Sequence, residues 1–548
     1  MLVCLLPVRN GARDLPGYFE SAARFADAVV ALDDGSTDET RALLESSPLV
    51  ERLLTNPRRT GYEGWDDDGN RNRLLAEAAT LQPDWIISLD ADERIDPDDA
   101  AALLRFLATE AVPGDGYLLP VYRMVDDLEH YDDQPLLVGR LFAFEAGQAF
   151  PSVRHHPRPL PTSIPKHRLR RTTIRIQHLS QVTPTRQQER FEKWRQADPD
   201  NTYQSSYANI LAPPRRVKRW QPRSPHLAVL ANAPQPVPEP PGDGPLLSAV
   251  VISQNDEDVI ERAIGAAVRQ DCRDPFEVIL VTSGTDRTAQ IVRERFPQVR
   301  VVELDHPALP GEARNAGLRV ATGLYVTFPG SHIELSPGSF AARISAFRQG
   351  YAMVMSTLAN GTLTRAGWAS WFIDSWQALP GHPSQPLDDP PIHCAYIRSV
   401  LLETGGFPED RRAGEDTVVN GELFERGYSA YLEADSPSIH YSPCTTPSKL
   451  VRHHFTRGRS MGRILLERAV RDGQVPNSRI TRFVTRGAPS RLRVLHREVQ
   501  RSGAEVRAEY RRSLPLIVVG ALSWWGGACY EMARSGPAVR RALNARSS

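Results

Sequence analysis

The stretch WIISLDADE, residues 85–93, decides the fold of the first half of this chain. Its first five residues, Trp85–Leu89, form a short and largely apolar run, as expected for a strand buried on both faces of a parallel sheet. The run ends directly in Asp90-Ala91-Asp92. Because open α/β sheets bind ligands at the carboxyl ends of their strands, we expect a ligand site at these two carboxylates.

Two further apolar runs precede this one, at Leu2–Leu6 and Ala28–Leu32. The second run leads into another acidic pair, Asp33-Asp34, so both acidic motifs fall at strand ends. Ser36 and Glu39 have the spacing of a capping box, which predicts that a helix begins just after Gly35.

The second half repeats the pattern, with apolar runs at Ser248–Ser253, Glu277–Val281 and Leu324–Phe328. Alternating strands and helices predict an α/β class with mostly parallel sheets. Residues 212–245 are dense in proline, which favours extended and semi-rigid conformations. We therefore predict two domains, 1–211 and 246–450, joined by a linker at 212–245 and followed by a basic helical region at 451–548.

Both halves of the chain resemble the family 2 glycosyltransferases of the GT-A fold, the second half through GEARNAGLRVATGLYVTF at 311–328. The motifs of the first half are the more numerous. In that half the resemblance lies in four motifs that occur in the family's order: PVRN at 7–10, LDDGSTDET at 32–40, GNRNRLLAEA at 69–78 and SLDADE at 88–93. It implies a nucleotide-sugar donor and two Rossmann-like domains in tandem. The residues implied for the donor site are Pro7, Arg9, Asn10, Asp33, Asp34, Asn72, Arg73 and Asp90, with Arg314 and Asn315 in the second half.

Asp90 and Asp92 are also the predicted ligands of a divalent ion, Mg²⁺ or Mn²⁺. One or two carboxylates can hold such an ion and leave positions open for phosphate oxygens. Part of the first half also resembles a lipopolysaccharide-core-type subgroup of the family, and this resemblance implies that His178 is a third ligand of the ion. The similar stretches are residues 139–150, His155-His156, 174–183 and 190–194. The alternative for Asp90 and Asp92 is a solvated acidic turn after the strand, and the alternative for His178 is a purely structural role. Asp33 and Asp34 could instead supply negative charge that stabilises the N-terminus of a helix.

The second half lacks these carboxylates. Registering Pro97 against Pro337 places Gly330-Ser331-His332 where the first half has its acidic triplet, and matching Asp38 to Asp286 places Val281-Thr282 opposite Asp33-Asp34. We therefore predict that the second domain is catalytically impaired or binds the acceptor.

The stretch Gly405–Tyr428 resembles the family's acceptor-side motif. The resemblance implies that Asp416, beside Glu415, is the catalytic base of an inverting reaction; the alternative is an acid that favours the start of a helix. His440 and the basic stretch Arg452–Arg463 follow, where phosphate or lipid-phosphate contacts are expected. In the first half no motif points to a catalytic base, and Asp126, Asp127 and Glu129 are candidates only because of their position in the chain.

Composition limits the partners. Lys plus Arg and Asp plus Glu number 66 each, so no global field favours nucleic acid. Five widely spaced cysteines suit a reducing cytosol, and the N-terminus does not have the pattern of a signal peptide.

Leu514–Tyr530 is uncharged and is the candidate for membrane contact. Its shortness, Pro515 and three glycines disfavour a spanning helix. Interfacial docking through Trp524 and Trp525, peripheral at the inner face of the cytoplasmic membrane, and packing against the catalytic body both remain open.

The expected function is transfer of a sugar from a nucleotide-sugar donor to a glycan or lipid-linked acceptor. The alternatives are a bifunctional transferase that builds a repeating glycan with two sites, a sugar nucleotidyltransferase, and a second half that only binds carbohydrate. The nucleotidyltransferase is disfavoured because PVRNGARD only weakly resembles the glycine-rich loop of that class.

Overall fold

The computed structural model describes residues 1–62, 65–152, 159–204, 206–214, 217–238, 242, 244–471 and 478–545. They form two compact units. Unit 1 comprises residues 1–223 and 229–231, and unit 2 comprises residues 224–228 and those from 232 onward. The division falls inside the proline-dense segment 212–245, while His155-His156 lie outside the described residues.

Unit 1 is an α/β sandwich. Its strands are β1 Leu2–Val8, β2 Ala28–Asp33, β3 Val50–Thr55, β4 Trp85–Ser88, β5 Glu93–Arg94, β6 Gly116–Arg123, β7 His130–Asp132, β8 Leu136–Ala143, β9 Leu169–Arg171, β10 Ile176–His178 and β11 Val217–Arg219. Its helices are α1 Leu15–Ala22, α2 Thr40–Ser46, α3 Asp67–Ala78, α4 Pro97–Thr109 and α5 Pro184–Ala197.

The main sheet of unit 1 has the order β3-β2-β1-β4-β8-β6-β10-β5, with β9 beside β6, while β7 and β11 pair separately. Strands β1 to β4 are mutually parallel, and β8 runs antiparallel to both of its neighbours. All residues of β2 are buried, as expected for a strand covered on both faces. The three strands predicted in this half are confirmed.

The predicted helix start after Gly35 is wrong in detail, because α2 begins at Thr40. Ser36 does not cap the helix. Its amide instead donates to Asp33 at 3.0 Å, and its hydroxyl accepts the amide of Asn10 at 2.9 Å. Asp38 bonds the amide of Thr40 at 3.0 Å. The polar turn therefore connects two strand ends before the helix starts.

Unit 2 repeats the fold. Its strands are β12 Leu247–Ser253, β13 Phe276–Thr282, β14 Arg300–Glu303, β15 Tyr325–Thr327, β16 Ile333–Glu334, β17 Met353–Asn360, β18 Gln385–Pro386, β19 Cys394–Ile397 and β20 Ala430–His440. Its helices are α6 Ile260–Val268, α7 Thr288–Arg295, α8 Pro310–Val320, α9 Ser339–Arg348, α10 Arg365–Asp374, α11 Arg398–Leu402, α12 Glu415–Arg426, α13 Pro447–Arg471, α14 Ser478–Arg501 and α15 Ala504–Ala545.

The sheet of unit 2 has the order β14-β13-β12-β15-β19-β17-β20-β16, with β18 beside β20. This order matches the main sheet of unit 1 strand for strand, including the antiparallel strand, which is β19 here and β8 there. The prediction of two α/β domains of the same kind is therefore confirmed.

The C-terminal helices pack closely against one another. A side chain at Gly458 of α13 would meet the backbone oxygen of Trp524 in α15, and one at Gly527 would meet the backbone oxygen of Phe455. Helix α15 runs without a break through Pro515 and the glycines, although their local propensity disfavours a helix. The glycines allow the two backbones to approach closely.

By length and composition, the part of α15 over Ala504–Gly536 could cross a membrane. Within its most apolar window, 39% is buried by the rest of the protein. Trp524 is among the buried residues, at 7% exposure, and so does not present its ring to a surface.

Candidate functional site

The acidic triplet of unit 1 forms a tight turn after β4. The amide of Asp90 donates to a carboxylate oxygen of Glu93 at 3.0 Å, and the amide of Glu93 donates to the carbonyl of Asp90 at 3.0 Å. Arg140 of β8 donates to the other oxygen of Glu93 at 2.5 Å. Burial raises the pKa of Glu93, and Arg140 opposes that rise. Glu93 thus holds the turn in place.

Asp90 faces arginine side chains. Arg71 of α3 donates to one of its oxygens at 2.8 Å and to the hydroxyl of Ser88 at 2.9 Å, while Arg140 lies 3.4 Å from its other oxygen. Burial would raise the pKa of Asp90, but the two guanidinium groups outweigh it and hold that pKa well below its usual range. Asp90 is therefore an anion at neutral pH.

Asp92 faces His178. The histidine ends β10, which pairs with β5 so that His178 lies opposite Glu93. Its Nε2 lies 3.5 Å from an oxygen of Asp92 and 3.3 Å from Arg190 of α5. Burial would raise the pKa of Asp92, but His178 lowers it below the usual range. A carboxylate and an imidazole thus face the same point at the sheet edge.

Of the three predicted metal ligands, the structure brings Asp92 and His178 together, while Asp90 is engaged by arginines. Among the described residues, no three His, Cys, Asp or Glu side chains are grouped closely enough to hold a metal ion by themselves. The Asp92 and His178 donors, each partly exposed, fit a divalent ion that takes its remaining ligands from phosphate and water.

The predicted nucleotide-binding residues at the ends of β1 and β2 lie in one polar network. Asp34 accepts from Asn56 at 2.7 Å and is ion-paired with Arg59. Asn56 also bonds Asn70, which adjoins Arg71, at 3.0 Å. The network therefore connects the Asp34 side of the sheet edge to Asp90.

Arg9 lies beside an aromatic ring in the same region. It donates to the carbonyls of Arg59 and Gly61 at 2.7 and 2.5 Å, and its guanidinium lies 4.3 Å from the centre of the Tyr62 ring. Lys193 of α5 lies 4.3 Å from the centre of the Trp65 ring. A cation thus lies against an aromatic ring in both places.

Several predicted residues have structural contacts. Pro7 lies within β1 opposite Leu32, and Asn10 accepts the amide of Thr37 at 2.8 Å. Asp33 bonds the amide of Ser36 as described above. Asn72 closes a two-way bond with the backbone of Phe150, at 3.3 and 2.8 Å.

Of the two arginines in the motif at 69–78, Arg71 reaches Asp90, whereas the predicted Arg73 bonds Asn56 at 2.5 Å. A comparison of the two halves could have identified Arg71 as the residue that matches Arg314. Asn315 makes the same two-way bond to Phe407 that Asn72 makes to Phe150, so Arg71-Asn72 corresponds to Arg314-Asn315. Sequence reasoning also missed Arg140, Glu93 and Lys193. All three lie in stretches that carry the family resemblance, but their residue types and positions did not single them out as site residues.

The three acidic residues suggested by position in unit 1 are exposed. Asp127 accepts from the amide of His130 at 2.8 Å, and Glu129 pairs with Arg219 at 3.2 Å. The amide of Asp126 donates to the carbonyl of Val182 at 2.7 Å. These contacts stabilise the loop after β6 and do not single out one of the three as a base.

In unit 2 the same position of the sheet carries histidines. Strand β16 pairs with β20 so that Ile333 lies opposite His440, as Glu93 lies opposite His178 in unit 1. His332 and His440 therefore correspond to Asp92 and His178, and their ring centres lie 5.1 Å apart. Burial lowers the pKa of His332 to about 4 and that of His440 to about 3. Both rings are neutral at neutral pH.

The structural register corrects the other comparison between the halves. Val8, the last residue of β1, pairs with Asp33, and Ser253, the last residue of the equivalent β12, pairs with Thr282. Thr282 and Ser283 therefore correspond to Asp33 and Asp34. The match to Val281-Thr282 is wrong by one residue, because the turn is one residue shorter in unit 2. The conclusion that no carboxylate occupies these positions is unchanged.

The two acids predicted for the acceptor side, Glu415 and Asp416, begin α12. Asp416 lies 3.2 Å from Nδ1 of His393, and Arg314 donates to Glu415 at 2.5 Å. Burial would raise the pKa of Asp416, but His393 and Arg314 hold it well below its usual range. His393 is partly exposed and has a left-handed backbone, with φ of 49°. The acid is therefore held behind an accessible imidazole.

The basic stretch Arg452–Arg463 lies in α13. Arg457 pairs with Asp374 at 3.2 Å, His453 lies 3.3 Å from the same carboxylate, and Arg463 is ion-paired with Asp410. The coulombic field of Asp374 raises the pKa of Arg457. These cations are balanced by carboxylates within unit 2.

Comparison with known families identifies the chain. The model of "Glycosyl transferase family 2" matches residues 4–171 and again residues 248–403, together more than half of the chain. The chain belongs to this family. The two matches coincide with the two repeated α/β sheets, so this is a family 2 protein with two catalytic-type domains in tandem, and the second lacks the acidic triplet.

Individual relatives match part of the chain. An uncharacterized protein of Mycobacterium tuberculosis is 26% identical over 211 residues, which is 36% of this chain and 51% of that protein. The validoxylamine A glucosyltransferase of Streptomyces hygroscopicus subsp. limoneus is 24% identical over 243 residues, 37% of this chain and 53% of that enzyme. The chain thus spans about half the length of these curated relatives.

Among solved structures, the mannosyltransferase PcManGT from Pyrobaculum calidifontis, in complex with GDP-Man and Mn²⁺, is similar at 20% identity. The match covers 55% of this chain and 88% of that enzyme, with a TM-score of 0.37.

Proposed function

We propose that this family 2 protein is a glycosyltransferase that takes a nucleotide-sugar donor at the sheet edge of unit 1 and transfers the sugar to a glycan or lipid-linked acceptor. The observation that carries the proposal is the pairing of Asp92 with His178 beside Asp90 and its arginines. Family membership supports the chemistry, and the carboxyl ends of parallel strands are the usual ligand position in such sheets.

A divalent ion fits this site. The carboxylate of Asp92 and the imidazole of His178 would hold it, and the mixed oxygen and nitrogen donors suit Mn²⁺ better than Mg²⁺, which prefers oxygen ligands throughout. When bound, the ion would neutralise negative charge on the leaving nucleoside diphosphate. Two protein ligands are enough because such ions commonly complete their shells with substrate phosphates and water.

The side chains around the site have separate roles in this proposal. Arg71 and Arg140 keep Asp90 ionised and oriented, and Glu93 fixes the turn that carries both aspartates. Arg190 and Lys193, which reach the site from α5, add positive charge toward a diphosphate. Asp34 and the Arg9–Tyr62 pair are suited to the ribose and base, since a carboxylate accepts hydroxyl hydrogen bonds and an aromatic face stacks on a base.

Unit 2 has an acceptor-side role in this proposal. It retains Asp416 but carries neutral histidines where unit 1 has Asp92 and its partner, and no carboxylate where unit 1 has Asp33 and Asp34. We propose that unit 2 does not bind a donor through a metal ion and instead contributes to acceptor binding. We propose an inverting reaction, and Asp416 is the acid of unit 2 assigned to this acceptor-side role.

A cytoplasmic location completes the proposal. The five cysteines are free, which suits a reducing compartment. Nucleotide-sugar turnover would then take place in the cytoplasm or at the inner face of its membrane.

The test is turnover of a panel of nucleotide sugars by the full-length protein with Mn²⁺, Mg²⁺ or chelator. We expect metal-dependent hydrolysis or transfer from at least one donor, lost in the Asp90→Ala, Asp92→Ala double variant. Asp98→Ala, at an exposed acid in the first turn of α4, is the matched control and should keep activity. Unchanged turnover in the double variant would contradict the proposal.

Asp416→Ala separates the two assignments for unit 2. Loss of transfer with donor hydrolysis retained supports the acceptor-side role. Loss of both reactions by a folded variant would favour a second or shared active site. Formation of a nucleoside triphosphate and a sugar phosphate from the donor and added pyrophosphate would favour a nucleotidyltransferase.

A further inference from the structure

Helix α15 has two distinct faces. Ile517, Ala521, Trp524, Ala528 and Met532 are buried against the neighbouring helices, at 0 to 8% exposure. On the opposite face, Val519, Leu522 and Tyr530 are exposed at 42, 49 and 49%. Their spacing of three and eight residues places them on one side of an α-helix. The helix therefore presents an apolar stripe away from its own protein.

Helix α13 widens this stripe. Val451 and Phe455 are exposed at 41 and 37%, and the ring of Phe455 lies 5.8 Å from that of Tyr530. The hydroxyl of Ser523 donates to the carbonyl of Val451 at 2.7 Å, so the two helices are joined at this point. We call Val451, Phe455, Val519, Leu522 and Tyr530 the apolar face.

Arginines border the apolar face. Arg511 and Arg534 are exposed and continue the same side of α15 at its two ends, at spacings of eight and four residues from Val519 and Tyr530. Arg452 is exposed next to Val451 on α13. Glu531, which adjoins Tyr530, is neutralised by Arg459 at 2.8 Å. The border of the face is therefore basic.

The charge of the whole region is strongly asymmetric. Residues 447–548 contain 21 Lys and Arg but only six Asp and Glu, an excess of 15 positive charges, whereas the whole chain is formally neutral. The balanced charge of the whole chain gives no overall attraction to anionic partners, but the excess of basic residues in this region gives a local one. The charge of this region favours an anionic partner, and the exposed side chains of the apolar face favour contact with apolar groups of that partner.

We propose that the apolar face of α13 and α15 docks on the surface of an anionic lipid bilayer, with the helices lying in the plane of the interface. Apolar side chains bordered by cations are the pattern of interfacial helices, which combine shallow apolar insertion with attraction to anionic headgroups. A nucleic acid would use the cations but not five exposed apolar side chains. This inference goes beyond the proposed catalysis and does not depend on it.

The packing of α15 decides between lying on a membrane and crossing it. Gly458 and Gly527 bring the α13 and α15 backbones together so closely that a Cβ at either position would overlap a backbone oxygen of the other helix. The buried face of α15 is thus covered by protein from Ile517 to Met532. Lipid can reach the exposed stripe without separating the helices, whereas a spanning helix would have to leave this packing.

The test is co-sedimentation of the full-length protein with lipid vesicles, either phosphatidylcholine alone or a 3:1 mixture of phosphatidylcholine and phosphatidylglycerol. We expect binding to the anionic vesicles that weakens with salt, and at least tenfold weaker binding to neutral ones. The Val519→Glu, Leu522→Glu double variant should lose at least tenfold in affinity for the anionic vesicles. Leu363→Glu, at a residue of unit 2 that is 74% exposed, should bind like the wild type.

Three results would overturn the proposal. They are no sedimentation with either vesicle, wild-type vesicle binding by the folded double variant, or a duplex oligonucleotide that binds more tightly than the vesicles and displaces them. Hydrogen exchange of the unmodified protein provides a check that needs no variant. Vesicles should protect residues 451–455 and 519–530 from exchange, and unchanged exchange there would also contradict docking.

Discussion

Nε2 of His178 lies 3.5 Å from a carboxylate oxygen of Asp92, at the edge of the unit 1 sheet. The equivalent positions of unit 2 are both histidines, His332 and His440, and both stay neutral at pH 7 because burial lowers their pKa values. One fold thus carries a carboxylate beside an imidazole in one copy and two neutral imidazoles in the other. The difference assigns the proposed donor chemistry to unit 1.

Replacement of Arg71 should damage unit 1 more than replacement of Arg73. Arg71 is buried and bonds Asp67, Ser88 and Asp90, so Arg71→Met leaves carboxylates without their cation. Removal of one partner of a buried ion pair costs about 3–5 kcal/mol. We expect a clear loss in the denaturant midpoint and in donor affinity. The exposed Arg73→Met should change stability by less than about 0.5 kcal/mol, and equal effects would contradict the role given to Arg71.

Acid should destabilise the protein through His440. An unfolded histidine has a pKa of about 6.5, and the folded value for His440 is about 3. Between these values the unfolded chain binds more protons, so this stabilisation is complete above about pH 6.5 and is lost as the pH falls toward the folded pKa.

The melting temperature measured from pH 7.5 to 4.5 tests this. In His440→Gln the decline with falling pH should be shallower than in the wild type, because glutamine does not titrate. The exposed His496→Gln is the control and should follow the wild-type curve. A wild-type decline in His440→Gln would contradict the proposed neutral, buried state of this ring.

Two glycines of the C-terminal helices should respond to alanine in opposite directions. A Cβ at Gly458 would overlap the backbone oxygen of Trp524, whereas one at Gly526 would meet no atom of a neighbouring helix within 4 Å. Overpacking costs about 1–3 kcal/mol, so Gly458→Ala should unfold more easily. Gly526→Ala should gain up to about 1 kcal/mol, since alanine favours a helix over glycine. Denaturation followed by circular dichroism would measure both, and a stable Gly458→Ala variant would contradict the close approach of α13 and α15.

The sequence was sufficient to predict the parts of the fold that depend on local pattern. Apolar runs such as Ala28–Leu32 are strands, and the acidic residues follow them, because a strand buried on both faces needs continuous apolar residues. The repeat of the two halves was also visible, since it preserves both the runs and their order.

Features that depend on tertiary contacts could not be predicted in this way. Whether Arg71 or Arg73 reaches Asp90 depends on how α3 faces β4, and a motif read along the chain does not carry that information. Pro515 and the glycines disfavour a helix by local propensity, yet α15 continues through them because close packing against α13 stabilises it. Ser36 has cap spacing but bonds Asn10 instead, because the neighbouring strand end lies within reach.

The most direct test of the account is the effect of Mn²⁺ on nucleotide affinity, measured by calorimetry with UDP and GDP on the wild type, Asp92→Asn and Asp98→Asn. We expect Mn²⁺ to tighten binding of at least one nucleotide at least tenfold in the wild type and in Asp98→Asn, and to have little effect in Asp92→Asn. If Asp92→Asn keeps the full Mn²⁺ effect while folded, or if the wild type shows none with either nucleotide, the metal-assisted donor site at Asp92 and His178 is contradicted.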